Sequence, residues 1–436
     1  MPAKSTHFQD PSTLRQLALL LPLVFVLTAS KSPDSLTNAQ FWAEDGAIFF
    51  QQQLGSSFPL LGKAYAGYLH VIPRLTAWLA AFFSASKAPF IYNLLACIIA
   101  ASCVGYTALR LKRFLPVVLT VAIFALTPIN GEIFGTITNI QWFTQFALLA
   151  LCLPVHERAI AGRGELFAVV CVFIMGLTGP AAIFITAINA GIFALSLMLT
   201  RVRPSWGLAP SLRDYAASLP RLRLAAAALC ALIQVGCVLL NTSSAAHDVN
   251  GIVQYGLPKL LMVMLGQIIP THVFGFYLLT PTLWILLEIC CVVAAARNPR
   301  LPFDAKAISA QLLLFSLLLL FSAAAMKDTK AMIQFGSADR YFYTIKFVAW
   351  WFLYLAMTGY RGARRSEVLG LLICAIAYFA LVNHGSLQRA PLWDMQWRKH
   401  AAELNTPGPH DIPINPQYWH IQTTTPAGGQ ARDEHP

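Results

Sequence analysis

Two adjacent carboxylates, Glu44 and Asp45, are the residues of this chain best suited to chemistry. They follow the first apolar run and lie within the aromatic sequence from Phe41 to Phe50. Charged groups next to apolar runs are costly at a membrane surface, which favours a functional role. The pair could act as a general base and its partner, or bind a divalent cation such as Mg²⁺ or Mn²⁺. Alternatively, both residues stabilise the start of an amphipathic helix over 46–54, where acidic groups are favoured.

Cationic and aromatic side chains follow in the same polar segment. They are Lys63, Tyr65, Tyr68, His70 and Arg74. Facing an acidic pair, such a set could form a pocket for a phosphate and a polyol. The alternative is anchoring at the membrane interface, which is the commoner role of Tyr, Lys and Arg there. Arg74 lies in an otherwise apolar stretch, so anchoring explains it less well than it explains the two tyrosines.

A second charged group lies much later in the chain. It comprises Lys330, Asp339, Arg340, Tyr341 and Lys346. Arg340 can bind a phosphate through two N–H groups while Tyr341 donates a further hydrogen bond. The alternative is an ordinary surface pair between Asp339 and Arg340, worth about 0–1 kcal/mol. Lys346 lies inside an apolar run, so we expect it to face a cavity or another charge.

Other polar residues are weaker candidates. Gln141 and Trp142 combine an amide with an aromatic ring, which suits sugar recognition, and Glu132 and Asn139 lie in the same loop. Glu288 lies within an apolar run, where a carboxyl is usually neutral or paired. The remaining polar loop residues are expected to be solvated: His247, Asp248, Asn250, Gln254 and His272. No metalloprotease, nucleophile-elbow or nucleotide-binding motif occurs in its required setting.

The composition identifies the kind of chain that must position these groups. Of 436 residues, 57% are hydrophobic and 11% are charged, against about 45–50% and about 25% in ordinary globular proteins. This excludes a soluble enzyme, a coiled coil, a disordered chain and a secreted disulfide scaffold. The net charge of +12 is attributed to cytoplasmic loops of a membrane protein rather than to nucleic-acid binding. The cysteines lie in apolar runs without zinc or disulfide spacing.

The predicted fold class is an all-α polytopic membrane protein with about eleven crossing helices, within a range of ten to twelve, because each crossing needs about 20 apolar residues. The predicted spans are 13–30, 89–109, 114–128, 141–155, 166–179, 180–199, 224–240, 273–296, 308–325, 341–358 and 366–382. The apolar stretch 69–84 is excluded, because Pro73 and Arg74 near its start favour an amphipathic helix lying in the interface.

The charge distribution supports this exclusion and predicts an orientation. With 69–84 lying flat, most Lys and Arg residues fall at the N-terminus and in short, strongly basic loops on the same side. The positive-inside rule then predicts a cytoplasmic N-terminus. The first loop, 31–88, and the tail, 383–436, are therefore predicted to be extracytoplasmic. Residues 1–382 form the transmembrane domain, and the tail is either a small lid on the outer loops or partly disordered after Thr423.

This arrangement resembles the GT-C superfamily of integral membrane glycosyltransferases, such as the lipid A aminoarabinose transferase and the protein O-mannosyltransferases. Glu44-Asp45 match the acidic pair of that family's first juxtamembrane helix, and Tyr68 to Phe83 resemble its second. The tail segment from Ile412 to Trp419 is similar to the ending of bacterial proteins of this type. One departure is the order Glu-Asp, where the named relatives have Asp-Glu.

The resemblance implies a polyprenyl-phosphate-linked sugar donor and inverting transfer in one displacement. Asp45 is then favoured as the base, with Glu44 supporting it, and any cation required would bind these two residues. No metal is otherwise predicted. The residues implied to bind the donor phosphate or substrate are Arg340, Tyr341, Lys330, Arg74, His70, Lys63, Tyr68, Trp142 and Gln141.

The resemblance also implies the partners and the location. These are a glycan, lipid or lipopolysaccharide acceptor, membrane lipids, no nucleic acid, and the cell envelope at a bacterial inner membrane. Three alternatives stay open at this point: a ligase or polymerase of polyprenyl-linked glycans, a lipid-linked sugar flippase or transporter, and a non-enzymatic scaffold. A flippase should carry charges deep in several spans, whereas here Glu288 and Lys346 are the candidates.

Overall fold

The structure is a computed structural model, and it describes residues 11–129, 131–154, 163–202, 207–240, 256–265, 269, 281–326, 332, 338–359 and 364–426. Lys330 and the loop residues His247, Asp248, Asn250, Gln254 and His272 lie outside them.

Helices form at all eleven positions where the apolar runs predict a span. They are α1 (Pro11–Ala29), α3 (Ala88–Leu111), α4 (Val117–Leu126), α5 (Gln141–Cys152), α6 (Arg163–Gly176), α7 (Ala181–Val202), α9 (Arg221–Leu240), α11 (Pro281–Arg297), α12 (Phe303–Met326), α13 (Tyr343–Thr358) and α14 (Arg365–Val382). Helices that interrupt this series are α2 (Val71–Ala80), α8 (Leu208–Ser218) and α10 (Leu257–Val263). Pro116 lies at the N-cap of α4, where a missing N–H costs nothing, whereas Pro22 lies inside α1.

By length and composition, five helices within the described residues are long and apolar enough to cross a membrane. They are Ala85–Leu111, Ala181–Val202, Arg221–Leu240, Phe303–Ala325 and Arg365–Val382. The chain is thus an integral membrane protein. The remaining predicted spans also form apolar helices, but each falls short of that criterion, so the predicted number of eleven crossings remains a prediction.

Helix α2 lies within the apolar stretch 69–84, which the sequence predicts not to cross the membrane. It has ten residues and a length of about 15 Å, half of the roughly 30 Å hydrocarbon core. It is shorter than the predicted 69–84 because Ala81 to Ser84 form a turn rather than helix. Its one buried face, which includes Ile72 and Ala77, packs against the core of the helical bundle.

The acidic pair begins a π-helix, Asp45–Phe50, which one α-helical turn, Gln51–Gln53, continues. The sequence predicts an ordinary helix over 46–54 with acidic capping. Within the described residues, however, the Glu44 side chain makes no capping hydrogen bond. π-helical turns are rare and concentrate at functional sites, so this local geometry favours function over capping.

Small residues allow the central helices to approach closely. Helix α3 packs against α1, α4 and α5, and it buries Ala96, Ala100 and Ala108. A Cβ on Gly105 would lie 3.1 Å from Leu21 of α1. Membrane helices associate through this kind of close packing, because lipid tails offer no hydrophobic gain.

The tail departs from the all-α prediction. It consists of helix α15 (Trp397–Glu403) and two antiparallel strands, β1 (Gly408–Ile414) and β2 (Trp419–Thr425). Ile412 pairs with Ile421, and both are buried together with Ile414. The hairpin packs on the π-helix, so the described part of the tail is an ordered cover over the acidic segment.

Candidate active site

Asp45 and Glu44 are adjacent but lie in opposite environments. Asp45 is fully buried, and its two oxygens accept hydrogen bonds from Ile137 N–H (3.0 Å), Thr138 N–H (2.8 Å) and the Thr138 hydroxyl. Burial raises the pKa of Asp45 to about 7, against the opposing effect of these hydrogen bonds. Asp45 therefore fastens the π-helix to the loop that leads into α5.

Glu44 keeps its carboxylate partly accessible. Its side chain is half-buried, and Oε1 accepts a hydrogen bond from the Tyr65 hydroxyl at 3.3 Å. The negative charge of Glu44 also acts on Tyr65 and Tyr68, whose pKa values rise chiefly through burial, that of Tyr68 to about 12. Of the two carboxylates, Glu44 is the one that a ligand can reach.

Two tyrosines and a histidine form an aromatic wall beside Glu44. Tyr65 and Tyr68 exchange backbone hydrogen bonds of 3.0 and 3.2 Å across a tight turn. Gly67 occupies that turn with φ +90°, which glycine adopts without steric cost. His70 stacks on Tyr68 with ring centroids 4.7 Å apart. Burial lowers the pKa of His70 to about 4, so its ring is neutral near pH 7.

The start of α5 contributes an amide and an indole. The Gln141 side chain lies near the Tyr68 hydroxyl, where it opposes the effect of burial on the Tyr68 pKa, and it packs so tightly on Gly179 that a Cβ there would lie 2.4 Å from Oε1 of Gln141. Trp142 is buried and meets Tyr341 edge to face at 5.2 Å. Within the described residues, Nε1 of Trp142 has no hydrogen-bond partner, and buried indole N–H groups normally have one. A ligand oxygen would satisfy it.

Arg340 supplies the positive charge of the cluster. Its Nη1 donates to Oε1 of Glu132 at 2.7 Å, and its guanidinium lies over the Tyr341 ring at 5.2 Å. The Arg340 side chain remains 34% exposed. Arg340 also acts electrostatically on Tyr65 and Tyr68, which connects it with the Glu44 side of the cluster.

Asp339, the residue before Arg340, pairs with Lys346 instead of with Arg340. Asp339 Oδ1 accepts a hydrogen bond from Lys346 Nζ at 2.6 Å, and Lys346 also donates to Pro128 C=O at 2.9 Å. Both side chains of this pair are 2% exposed. Lys346 therefore faces another charge, as its place in an apolar run predicts, and Asp339 does not pair with Arg340.

The structure thus brings most of the predicted residues into one cluster. We define the site cluster as Glu44, Tyr65, Tyr68, His70, Glu132, Gln141, Trp142, Arg340 and Tyr341. Tyr65 and Glu132 were not in the predicted set of binding residues. The close spacing of Tyr65, Tyr68 and His70 was a signal for Tyr65, whereas nothing local in the sequence links Glu132 to Arg340.

Two predicted binding residues lie differently. The Lys63 side chain is exposed, and its carbonyl accepts a hydrogen bond from Arg74 at 3.2 Å. Arg74 is buried beneath the π-helix, donates to Gln52 Oε1 at 2.8 Å and lies 4.8 Å from the centre of the Phe49 ring. In this conformation Arg74 supports the π-helix, and its Nε and Nη1 are buried without a hydrogen-bond partner among the described residues.

A divalent cation would find few ligands in the site cluster. Among the described residues, no group of three or more His, Cys, Asp or Glu side chains could hold a metal ion. The Asp45 oxygens accept hydrogen bonds from the 137–138 backbone, and Glu132 is paired with Arg340. Glu44 alone does not form the set of oxygen ligands that Mg²⁺ or Mn²⁺ prefers, so we derive no step through a metal.

Comparisons with known proteins identify the fold. No family model and no curated protein matches the chain. Among solved structures, the oligosaccharyltransferase of Archaeoglobus fulgidus, crystallised with zinc and sulfate, superposes with a TM-score of 0.50 at 12% identity. That match covers 88% of this chain and 55% of the archaeal one, so the chain spans little more than half the length of that enzyme.

Two further structures show weaker similarity. The Archaeoglobus fulgidus oligosaccharyltransferase AglB in complex with an inhibitory peptide and a dolichol-phosphate has a TM-score of 0.46 at 13% identity, over 91% of this chain and 59% of its own. ArnT from Cupriavidus metallidurans bound to undecaprenyl phosphate has a TM-score of 0.41 at 13% identity, over 90% and 69%.

Over most of its length the chain shares the fold of the Archaeoglobus fulgidus oligosaccharyltransferase, and the fold expected from the sequence resemblance is confirmed.

Proposed function

We propose that this chain is a membrane glycosyltransferase that moves a sugar from a polyprenyl-phosphate donor to a glycan or lipid acceptor on the extracytoplasmic side. The observation that carries the proposal is the site cluster. It sets an accessible carboxylate, Glu44, and a partly open guanidinium, Arg340, around shared tyrosines. The fold supports the same conclusion.

The proposed reaction is a single displacement that inverts the anomeric carbon. The acceptor hydroxyl loses its proton to a carboxylate while its oxygen bonds to the anomeric carbon. The bond from that carbon to the phosphate oxygen breaks, and the lipid phosphate leaves with the electron pair. A positioned base of this kind contributes about 10²–10⁴-fold to the rate.

We assign the base to Glu44 and a positioning role to Asp45. The sequence resemblance favours the reverse, because Asp45 adjoins Gly46. Asp45, however, is fully buried with both oxygens engaged, whereas Glu44 is half-buried and contacts a tyrosine hydroxyl. A base must come within hydrogen-bond reach of the acceptor, and Glu44 is the more accessible of the two carboxylates.

We assign the donor phosphate to Arg340, with Trp142 and Tyr341. Guanidinium groups bind phosphate through two parallel N–H groups, and such donors stabilise charge that develops on a leaving group. Arg340 retains 34% exposure, and Nε1 of Trp142 is an unpaired donor within the described residues. Lys330, which precedes Arg340 in the chain, remains a proposed contributor from the sequence.

The aromatic and amide groups are assigned to the sugar. The Tyr68 hydroxyl and the Gln141 amide lie near each other, and both can form hydrogen bonds to sugar hydroxyls. His70 is stacked behind Tyr68 and neutral, so we assign it to orienting that ring. The acceptor class, lipopolysaccharide included, and the bacterial inner membrane rest on the sequence resemblance and the charge distribution.

The decisive experiment is mass spectrometry of surface glycolipids and polysaccharides from cells that lack this chain. The cells are complemented with wild type, Glu44→Gln, Asp45→Asn or Glu367→Gln. Glu367 is a matched control because its side chain is 64% exposed and pairs locally with Arg364. We expect wild type and the control to restore a sugar-sized mass increment that Glu44→Gln does not restore.

Each result has a defined meaning once equal amounts of each variant are verified in the membrane. A mass increment of one sugar supports a transferase, whereas an increment of many sugars supports the ligase or polymerase alternative. Full restoration by Glu44→Gln would overturn its role as base. If wild type itself restores no increment, the transferase proposal fails and a transport or scaffold role takes its place.

A further inference from the structure

The segment that carries Glu44 is held by the tail through backbone pairing. Ala43 N–H donates to the Asn415 carbonyl, and Asn415 N–H donates to the Phe41 carbonyl at 3.3 Å. Trp42 and Asn415 thereby form a parallel bridge. This backbone pairing thus ends at Ala43, one residue before Glu44.

Ala43 has an unusual backbone conformation at this point. Its φ is +37°, in the left-handed region that L-residues other than glycine seldom occupy. Such a conformation persists where surrounding contacts impose it, and it concentrates at functional sites. Here the Ala43 N–H donates to the Asn415 carbonyl, and the sharp turn at Ala43 sets the direction in which Glu44 leaves the backbone.

The Asn415 side chain fixes its own backbone in turn. Its Oδ1 accepts from Trp393 N–H at 3.0 Å, and its Nδ2 donates to the Trp393 carbonyl at 2.9 Å. Next to it, Gln40 accepts from Met395 N–H at 3.2 Å. Asn415 is 3% exposed. Its side-chain amide joins two parts of the tail, while its backbone N–H and C=O hold the 41–43 segment.

The tail also packs against the chain on the C-terminal side of Glu44. Gly46 faces the hairpin so closely that a Cβ would lie 2.7 Å from Cδ1 of Ile414 and 3.2 Å from Cδ1 of Ile421. The Trp397 ring meets Phe41 at 4.7 Å. The tail therefore contacts the chain on both sides of Glu44 and leaves the Glu44 side chain to the site cluster.

We propose that Asn415 is a positioning residue of this site: it holds Ala43 in the left-handed conformation and thereby aims Glu44 at the acceptor. This role rests on the proposed transferase function. It makes the tail a working part of the site, although the tail contributes no group to the site cluster.

The test compares Asn415→Ala, Asn415→Ala with Ala43→Gly, and Asn405→Ala in the full-length chain. Asn405 is an exposed asparagine of the same tail and serves as the matched control. Two measurements are made on each purified protein. One is hydrogen–deuterium exchange of the peptide that contains Ala43. The other is sugar transfer from a polyprenyl-phosphate donor, with kcat and KM determined separately.

We expect faster exchange at 41–45 in Asn415→Ala, with α5 unchanged. We expect kcat to fall by about 10²-fold, the effect of misplacing a reacting group by about 1 Å. The KM for the donor should stay close to the wild-type value, because the Arg340 contacts are untouched. Glycine adopts positive φ freely, so Ala43→Gly should recover part of the lost kcat, which a general loss of folding would not allow.

Unchanged exchange at 41–45 would overturn the proposal whatever the activity. Faster exchange with unchanged kcat would also overturn it, because Glu44 would then not depend on the tail. If wild type transfers no sugar from any polyprenyl donor, the transferase function fails, and the exchange data alone decide whether Asn415 orders the segment.

Discussion

Helix α5 has an arginine–glutamate pair near each end. The two pairs differ in how many guanidinium nitrogens donate hydrogen bonds and in how exposed the arginine is. Arg223, near the Leu151 end, gives Nε and Nη2 to Glu165 at 2.5–3.2 Å and Nη1 to the Leu151 carbonyl at 3.2 Å. Arg340, near the Trp142 end, gives Nη1 to Glu132. The Arg223 side chain is 2% exposed and that of Arg340 is 34% exposed.

The difference separates a structural charge from a candidate binding group. A buried arginine must have its donors satisfied, because an uncompensated buried charge is strongly destabilising. Arg223 meets that condition entirely with protein atoms. Among the described residues, Arg340 is hydrogen-bonded through Nη1 to Glu132, and its side chain is 34% exposed, so its remaining donors can serve a ligand.

The largest effect on stability should come from breaking the buried pair between Arg223 and Glu165. Arg223→Met leaves Glu165 and the Leu151 carbonyl without their donor, and we expect a loss of about 3–5 kcal/mol of unfolding free energy. Thermal unfolding in detergent, followed by tryptophan fluorescence, measures the change. The control is Arg213→Met, whose pair with Asp214 is exposed and worth about 0–1 kcal/mol. Equal shifts in both variants would contradict the structural assignment.

Substitution of Arg340, the partly exposed arginine, should reduce activity and leave stability largely unchanged. We expect Arg340→Met to lower kcat/KM for a polyprenyl-phosphate donor by about 10²–10³, or 2.7–4 kcal/mol, as when one charge-stabilising donor is removed. The unfolding midpoint should change far less than in Arg223→Met. Arg340→Lys keeps the charge without the planar fork and should recover part of the activity. A folding defect as large as that of Arg223→Met would remove the contrast between the two ends.

A third variant asks whether packing, rather than charge, holds the tail on the site end. Gly46→Ala places a methyl group 2.7 Å from Cδ1 of Ile414, and overpacking of this kind costs about 1–3 kcal/mol. Ile414→Val removes that Cδ1 atom, so the double variant should regain most of the stability. Thermal unfolding of the four proteins in this cycle measures the coupling. Additive effects would mean that the hairpin does not rest on Gly46.

The smallest effect concerns acid sensitivity at the aromatic wall. The pKa of His70 is lowered by burial to about 4, below its ordinary value of 6.5. The folded state therefore loses stability as pH falls from about 6.5 through 4, because the unfolded chain binds the proton first. Relative to His70→Phe, wild type should lose about 1 kcal/mol between pH 6 and pH 5. The pKa of Asp45 is also raised, to about 7. Because Asp45 is present in both proteins, its contribution to the pH dependence of stability cancels in the comparison.

That measurement has a clear failure. A constant difference in unfolding midpoint between wild type and His70→Phe from pH 4 to pH 8 would show that His70 titrates normally. The stacking of His70 on Tyr68 would then have to be looser than the 4.7 Å centroid distance implies.

The helices were predictable from the sequence, whereas the ion pairs were not. Apolar runs dictate helices directly, and one formed at each of the eleven predicted positions. Asp339 and Arg340 are neighbours, so the sequence suggests a pair between them. Successive side chains of the 3₁₀ helix Asp339–Phe342 point about 120° apart. Asp339 therefore turns to Lys346, and Arg340 turns to Glu132, 208 residues away in the chain.

The strands of the tail were also not predictable from the sequence. The sequence left a lid and partial disorder open, and it contained no sign of strands strong enough to alter an all-α prediction. An isolated two-stranded hairpin is marginal in water. Its stability here comes from Ile414 and Ile421 packing against Gly46, a contact that no local pattern encodes.

The cover over the acidic segment has a consequence for how the protein is made. Gln422 N–H donates to Gln51 Oε1 across 371 residues of chain. A ribosome adds about 5–20 residues per second, so roughly 20–75 s pass between the synthesis of the two contact partners. During that interval the early helices enter the membrane while Glu44 stays uncovered. We therefore expect chains released before the hairpin is translated to insert normally and yet lack the proposed transferase activity, which would then begin only when translation is complete.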